Sequence, residues 1–218
     1  MKSTRTVLLV SDEEMSDDPG RIDAGRFGLP DDLCNIPNLQ RTITECGNLH
    51  TVIMHHSRIG EAAQIHPDYV VLSGRFSPHA LDDDAMQREY RAVIEWIKGS
   101  RVPLLGICLG LQLIGSAFGV PTVRVVEDGE FGFSMLQKEQ DHPLLKGVSS
   151  SFRVMEMHRC GLLEVPEGFT LLASSSKCRV QMIVHIGRPI VAVQFHPEIN
   201  TAAQQSGFQV LQEFFHLY

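Results

Sequence analysis

The stretch VPLLGICLGLQ, residues 102–112, determines how the middle of this chain folds. A short apolar run ends at Cys108, glycines lie two residues before and after it, and a helical pattern begins at once. This is the layout of a nucleophile elbow, with cysteine in place of serine. A side chain beside the nucleophile would clash in so tight a turn, which explains Gly106 and Gly110. We expect Cys108 at a strand's carboxyl end and a helix's amino end, where the helix dipole favours the thiolate.

A cysteine nucleophile needs a base, and the base needs a group that orients it. The apolar segment PIVAVQF, residues 189–195, predicts a buried strand that leads directly into His196 and, two residues later, Glu198. Members of a triad are neighbours in space rather than in sequence. We therefore expect His196 to reach Cys108, and Glu198 to hold the ring of His196 and fix its tautomer.

Length and composition indicate one ordinary globular domain. The 218 residues suffice for a full core, with 43% hydrophobic and 21% charged residues. The net charge of -7 argues against a nucleic-acid or anionic-membrane partner. The apolar run at residues 7–10 is too short for a signal peptide or a membrane span. Five cysteines without a C-x-x-C pair argue against a disulfide scaffold and favour a reducing cytoplasm.

Strand and helix signals alternate in the first half of the chain, which predicts a mostly parallel sheet covered on both faces. The predicted strands are residues 6–10, 51–54, 69–72 and a strand at Leu104, and the predicted helices are 36–46, 83–98 and 109–118. The second half is different, because closely spaced strands there indicate antiparallel or mixed additions. They are residues 123–126, 131–136, 152–157, 170–173, 179–184 and 190–195, followed by a closing amphipathic helix over 201–218. Residues 11–32 predict a long surface loop.

Two motifs in this order resemble the class I glutamine amidotransferase domain. GICLGLQLI at 106–114 is similar to the family's nucleophile motif, and FHPE at 195–198 to its His-Pro-Glu motif. VLSG at 71–74 resembles the strand and loop that carry the oxyanion hole. Weaker similarities to the amidotransferase domain of GMP synthetase lie at 130–133, 142–147 and 165–169. The resemblance implies an α/β fold over residues 1–218: a single flavodoxin-like three-layer domain, with a mostly parallel central sheet, helices on both faces and an added antiparallel strand region.

The resemblance also implies a reaction. Cys108 attacks the side-chain amide carbon of L-glutamine, His196 transfers the protons, and water hydrolyses the glutamyl thioester to glutamate. The oxyanion-hole donors are then the backbone N–H groups of Arg75 and Leu109.

Four further residues match positions where the family meets its substrate. Gly74 belongs to the oxyanion loop, and Gln112 lines the glutamine pocket. Met157 and His158 match the loop whose backbone meets the amino-acid end of the substrate.

The chain departs from the family in the loop over residues 11–32, which is larger than the family usually has there, and in two motifs. The sequence SGRF at 73–76 replaces the usual Ser-Gly-Gly-Pro, so Arg75 loses the conformational freedom of glycine. VMEMHRC at 154–160 replaces the Trp-Met-Ser-His-Gly-Asp of GMP synthetases. These departures leave two alternatives open: a γ-glutamyl peptide or amide hydrolase that uses the same triad, and a non-catalytic regulatory module of the same fold.

Cofactors and partners follow from motifs that the chain does not contain. It has no Gly-x-x-x-x-Gly-Lys phosphate loop, so the ammonia acceptor is expected on another polypeptide, such as a synthetase subunit. His55, His56 and His66 have neither the spacing nor the Cys, Asp or Glu company of a metal site. We expect no metal, no cofactor, no nucleic acid and no membrane partner.

Overall fold

A mixed sheet of nine strands with helices on both faces forms the framework of the residues that the computed structural model describes, which are 4–12, 36–75, 83–125 and 127–218. The strands are β1 (Arg5–Ser11), β2 (Leu49–His55), β3 (Tyr69–Leu72), β4 (Leu104–Ile107), β5 (Thr122–Arg124), β6 (Glu130–Lys138), β7 (Ser151–His158), β8 (Cys160–Leu162), β9 (Phe169–Ser174), β10 (Met182–His185) and β11 (Ile190–Val193). The helices are α1 (Ile36–Glu45), α2 (Ala62–Ile65), α3 (Asp83–Glu89), α4 (Arg91–Gly99), α5 (Leu109–Ala117) and α6 (Ser206–Leu217), with 3-10 helices at His56–Glu61 and Pro143–Leu145.

The strand order is β2-β1-β3-β4-β11-β10-β9-β6-β7. The first five strands in this order are mutually parallel, and the last four add antiparallel pairs. Strands β3, β4 and β11 are direct neighbours, so their carboxyl ends lie at one edge of the sheet. That edge carries the candidate site, as is usual for open α/β sheets. The predicted α/β architecture with an added antiparallel region is confirmed.

Alternating side chains of the parallel strands pack against opposite helical layers. In β1, Val7 and Leu9 lie in a core with α1 and α6, whereas Leu8 and Val10 lie in a second core with α4 and α5. Burial of each such side chain contributes roughly 1.5–3 kcal/mol relative to exposure. The apolar runs of the first half are therefore strands buried on both faces.

Some predicted boundaries were wrong. The single helix predicted over 83–98 is two helices, because Tyr90 leaves helical geometry at φ −104° and ψ 18°. The closing helix begins at Ser206, after a bridge between Thr201 and Gln204. The strand predicted over 179–184 begins only at Met182.

The remaining differences concern short strands and the predicted loop. The strand predicted near residue 123 does not join the main sheet, since β5 pairs with β8, a strand that the sequence did not predict. Of the loop predicted over 11–32, Ser11 ends β1 and Asp12 follows it, and the remainder lies outside the described residues. Within the described ranges, no helix is long and apolar enough to cross a membrane.

Candidate active site

Cys108 lies in a strained turn between β4 and α5. Its φ of 52° and ψ of −101° are unusual for a residue other than glycine, and such a conformation costs of order 1–3 kcal/mol. The tight packing that the sequence predicted is present. A β-carbon on Gly106 would lie 2.6 Å from the carbonyl carbon of Gly110, and one on Gly110 would lie 2.5 Å from the carbonyl oxygen of Leu72. The backbone N–H of Cys108 donates to the carbonyl of Val193 (2.8 Å), which ties the elbow to β11.

His196 and Glu198 follow β11 and form a buried pair. Nδ1 of His196 lies 2.8 Å from Oε1 of Glu198, and each residue is 1% exposed. A carboxylate only accepts hydrogen bonds, so Nδ1 carries the proton and Nε2 is the ring nitrogen left for Cys108. The backbone N–H of His196 donates to the carbonyl of Met155 (2.8 Å), and the side-chain amide of Asn38 donates to the carbonyl of Glu198 (3.0 Å). A hydrogen bond from α1 and a hydrogen bond to β7 thus hold residues 196–198 beside the turn at Cys108.

The protonation of His196 is set by its neighbours. Burial by itself lowers the pKa of His196, but the charge of Glu198, together with hydrogen bonding and charge from Cys108, raises this pKa well above its ordinary value. An imidazolium beside a sulfur favours the thiolate form of a cysteine, which is the nucleophilic form. The structure therefore brings together Cys108, His196 and Glu198 in an arrangement suited to nucleophilic catalysis.

The predicted oxyanion loop follows β3 at the same edge of the sheet. Gly74 lies between the two reactive residues, since a β-carbon there would lie 2.7 Å from Cε1 of His196 and 3.3 Å from Cβ of Cys108. Leu109 is the first residue of α5, and the N–H of a first helical residue has no intrahelical acceptor. That N–H is suited to donate a hydrogen bond to a substrate oxygen on which negative charge develops.

Arg75 is held by side-chain ion pairs. Its Nε lies 3.3 Å from Oδ2 of Asp12, and its Nη1 lies 3.2 Å from Oε1 of Glu89. The hydroxyl of Tyr90 donates to the other oxygen of Asp12 and also accepts from Nη1 of Arg75. The arginine that replaces the family's glycine is thus anchored to the end of β1 and to the break between α3 and α4.

Gln112 and His158 lie in a buried polar network behind Cys108. Nε2 of Gln112 donates to the carbonyl of Cys160 (3.0 Å) and lies 3.5 Å from Oε1 of Gln194. Nε2 of Gln194 in turn donates to Sγ of Cys108 (3.5 Å). Nδ1 of His158 faces the same Cys160 carbonyl at 3.0 Å. The predicted contacts of Gln112, Met157 and His158 with substrate remain predictions.

Three residues of this network were not singled out from the sequence: Gln194, Glu130 and Glu156. Gln194 lies just after β11 and is 0% exposed. The sequence feature that could have identified it is a single polar residue within an apolar run. Glu130 and Glu156 lie on β6 and β7, beside His158, and are 2% and 0% exposed. Period-two alternation could have placed Glu156 and His158 on one face, but only the strand pairing brings Glu130 to them.

Two groups of side chains in the described residues bring potential metal ligands within 4.8 Å of one another. One is Glu130, Glu156 and His158, and the other is Asp12, His56 and Glu89. In the folded chain, Asp12 and Glu89 therefore lie beside His56, although neither is close to it in the sequence. In the first group, all three side chains are buried, and His158 makes an ion-pair contact with each carboxylate.

Comparisons with known proteins agree with this geometry. The family model "Glutamine amidotransferase class-I" matches residues 32–216. The chain is 33% identical over 163 residues to one subunit of the glutamine-hydrolysing GMP synthase of Saccharolobus solfataricus, covering 75% of this chain and 82% of that protein. It is 30% identical over 179 residues to the protein of the same name from Thermococcus kodakarensis, covering 82% and 90%.

A solved structure from Thermoplasma acidophilum, which its name describes as one subunit of a GMP synthase, superposes with a TM-score of 0.77 at 27% identity. It covers 100% of this chain and 95% of that one. The family match and the coverage of these relatives agree with the motifs around Cys108 and His196. The chain therefore belongs to the class-I glutamine amidotransferase family, which confirms the resemblance and the enzyme class predicted from its sequence.

Proposed function

We propose that the chain hydrolyses L-glutamine to glutamate and ammonia, with Cys108 as nucleophile, His196 as acid and base, and Glu198 as the group that orients His196. The observation that carries this proposal is the strained elbow of Cys108 beside the buried pair of His196 and Glu198. Backbone strain of this kind persists only where the surrounding structure enforces it, and it is concentrated at functional sites.

In the proposed reaction, the Cys108 thiolate attacks the amide carbon and forms a tetrahedral intermediate. His196 donates the proton from Nε2 to the leaving nitrogen, and ammonia departs from the resulting thioester. Water then attacks the thioester and gives a proton to His196. The C–S bond breaks, glutamate is released, and the thiolate of Cys108 is regenerated. The N–H groups of Leu109 and Arg75 stabilise the oxyanion, and loss of one such donor typically costs about 3 kcal/mol.

We further propose that the ammonia passes to a synthetase on a separate polypeptide. Relatives that this chain matches over most of their length are named as one subunit of a glutamine-hydrolysing GMP synthase, which supports a second subunit.

The test is glutamate release from L-glutamine by the purified chain, with and without the synthetase subunit of a GMP synthase. The Cys108→Ala variant should release no glutamate. Cys46→Ala is a matched control, because burial raises the pKa of the Cys46 thiol to about 12 and leaves it unreactive at neutral pH. Equal activity of wild type and Cys108→Ala would refute the proposed nucleophile. Turnover of γ-glutamyl peptides without turnover of glutamine would instead support the hydrolase alternative.

A further inference from the structure

A buried cluster of charged side chains lies behind the candidate site, between β6 and β7. His158 is directly opposite Glu130 across the strand pair, and Glu156 lies two residues before His158 on the same face. Nε2 of His158 lies 3.4 Å from Oε2 of Glu130 and 3.2 Å from Oε2 of Glu156. Breaking up such a buried ionic group is costly, because the remaining charge loses its partner.

The surroundings of His158 require a doubly protonated ring. Its Nδ1 faces the carbonyl of Cys160, and its Nε2 faces the carboxylate of Glu130 as well as Glu156, so an acceptor lies before each ring nitrogen. Burial by itself lowers the pKa of His158, but Glu130 and Glu156 outweigh it and raise this pKa to about 10. The acceptors that face both ring nitrogens therefore favour the cationic form of His158.

A continuous series of hydrogen bonds connects this cation to Cys108. The carbonyl of Cys160 accepts from Nδ1 of His158 and from Nε2 of Gln112. Because the Cys160 carbonyl can only accept, the side-chain nitrogen of Gln112 faces it, and the same nitrogen lies 3.5 Å from the acceptor Oε1 of Gln194. This orientation leaves Nε2 of Gln194 as the donor that faces Sγ of Cys108.

Because the carbonyl of Cys160 can only accept, it determines which atom donates and which accepts in each hydrogen bond of the series. An N–H group that donates to a thiolate stabilises it more than it stabilises a neutral thiol. The charge of Cys108 also raises the pKa of His158, so the two groups interact electrostatically. The titratable and charged groups that act on this cluster are Glu130, Glu156, Cys108, His196, Lys177 and Cys178.

We propose that His158, as a cation held between Glu130 and Glu156, is a positioning residue for the Cys108 thiolate. It acts by its charge and by the bonds through the Cys160 carbonyl, Gln112 and Gln194. This inference rests on the proposed function only in taking Cys108 as the nucleophile.

The experiment follows alkylation of Cys108 by iodoacetamide in the full chain from pH 5 to 10, with modification at Cys108 read by mass spectrometry. His158→Gln removes the charge, and Gln194→Met keeps the volume but removes the donor. We expect both variants to move the pH of half-maximal alkylation upward by about one unit, since a hydrogen bond to a charged group contributes about 1.5 kcal/mol. With glutamine, kcat should fall about tenfold while KM changes much less.

The control is Thr51→Val, which removes a buried hydroxyl from β2 at the far end of the sheet. It should leave the alkylation profile unchanged. If either His158→Gln or Gln194→Met folds and retains the wild-type profile, the inference is overturned. If His158→Gln does not fold, Glu130→Gln takes its place, because it removes a carboxylate that raises the pKa of His158, and an unchanged alkylation profile in that variant would likewise overturn the inference.

Two other results have defined meanings. Alkylation does not require glutamine, so a wild type that is inactive even with the synthetase subunit, and whose profile still shifts in the variants, would contradict the proposed function and support this inference. One equivalent of a divalent metal in the wild type, absent from Glu156→Gln by elemental analysis, would overturn the inference, because a metal would occupy Nε2 of His158 in place of its proton.

Discussion

Gly74 and His196 are in such close contact that residue 74 has no room for a side chain. A β-carbon on Gly74 would lie 2.7 Å from Cε1 of His196, inside the distance that real β-carbons show. Three parallel strands produce this contact, because β3, β4 and β11 end at one edge of the sheet and deliver Gly74, Cys108 and His196 to the same point. The predicted oxyanion loop and the proposed base therefore fix each other's positions.

Gly74→Ala should displace the ring of His196 from Cys108. Because His196 is also bonded to Glu198, the ring cannot move freely, and we expect at least a tenfold loss of kcat, or about 1.4 kcal/mol in the activation barrier. Steady-state glutaminase assays, with urea unfolding as the check on stability, measure the effect. A wild-type kcat would show that the ring yields without cost.

Gly110→Ala should destabilise the fold itself. The new β-carbon would lie 2.5 Å from the backbone oxygen of Leu72, and a strand backbone cannot yield as a flexible side chain does. We expect a loss of about 1–3 kcal/mol in the free energy of unfolding, the usual cost of overpacking. Gly99→Ala at the end of α4 is the matched control, because a β-carbon there meets nothing within 4 Å. Equal unfolding midpoints for the two variants would contradict the prediction.

Asp12→Asn should loosen the anchor of Arg75. The variant keeps the shape of the side chain but removes the charge that faces Nε of Arg75 at 3.3 Å. If the N–H of Arg75 serves the oxyanion hole, kcat should fall about tenfold, with little change in stability. Arg58→Ala removes the exposed ion pair with Glu61 and should alter neither kcat nor the unfolding midpoint. An unchanged kcat in Asp12→Asn would exclude this role for the anchor.

Glu156→Gln should change how stability depends on pH. Burial raises the pKa of Glu156 to about 7 although His158 opposes the shift, so the folded state keeps a proton that the unfolded state releases near pH 4.5. The wild type therefore loses stability from this group as the pH rises from 4.5 towards 7, whereas glutamine cannot titrate. The stability of the variant relative to wild type should increase by about 2–3 kcal/mol between pH 4.5 and 6.5. Urea unfolding at these two pH values tests this, and parallel curves would refute it.

The destabilisation caused by Glu198→Gln should decrease as the pH rises. The raised pKa of His196 means that its contribution to stability is complete below its ordinary pKa of 6.5 and is lost as the pH rises through the higher folded value. Without the charge of Glu198, the pKa of His196 in the folded state is raised less, so this contribution to stability at low pH is smaller. The destabilisation caused by the variant should thus be largest near pH 6 and should shrink towards pH 9. A constant difference in unfolding free energy would show that Glu198 does not set the protonation of His196.

The chemistry near Cys108 could be predicted from the sequence because it is encoded locally. Gly106, Cys108 and Gly110 lie within one turn, and the requirement for small residues there follows from the path of the backbone alone. His196 and Glu198 could also be predicted, since they lie two positions apart and a buried strand precedes them. The alternation of strands and helices indicated the parallel half of the sheet for the same reason, as each element carries its own periodicity.

The sequence itself determined the elbow, the alternation of strands and helices in the first half of the chain, and the residues proposed as nucleophile, base and orienting group. The tertiary structure decided which polar side chains meet behind them. Glu130 reaches His158 only because β6 pairs with β7 in one register, and Asp12 reaches Arg75 only because β1 and β3 are neighbours. The charge of His158 follows from the first of these contacts, and the position of Gln194 follows from the pairing of β11 with β4 and β10. Burial and pairing set protonation and orientation, and both depend on residues that are distant in the chain.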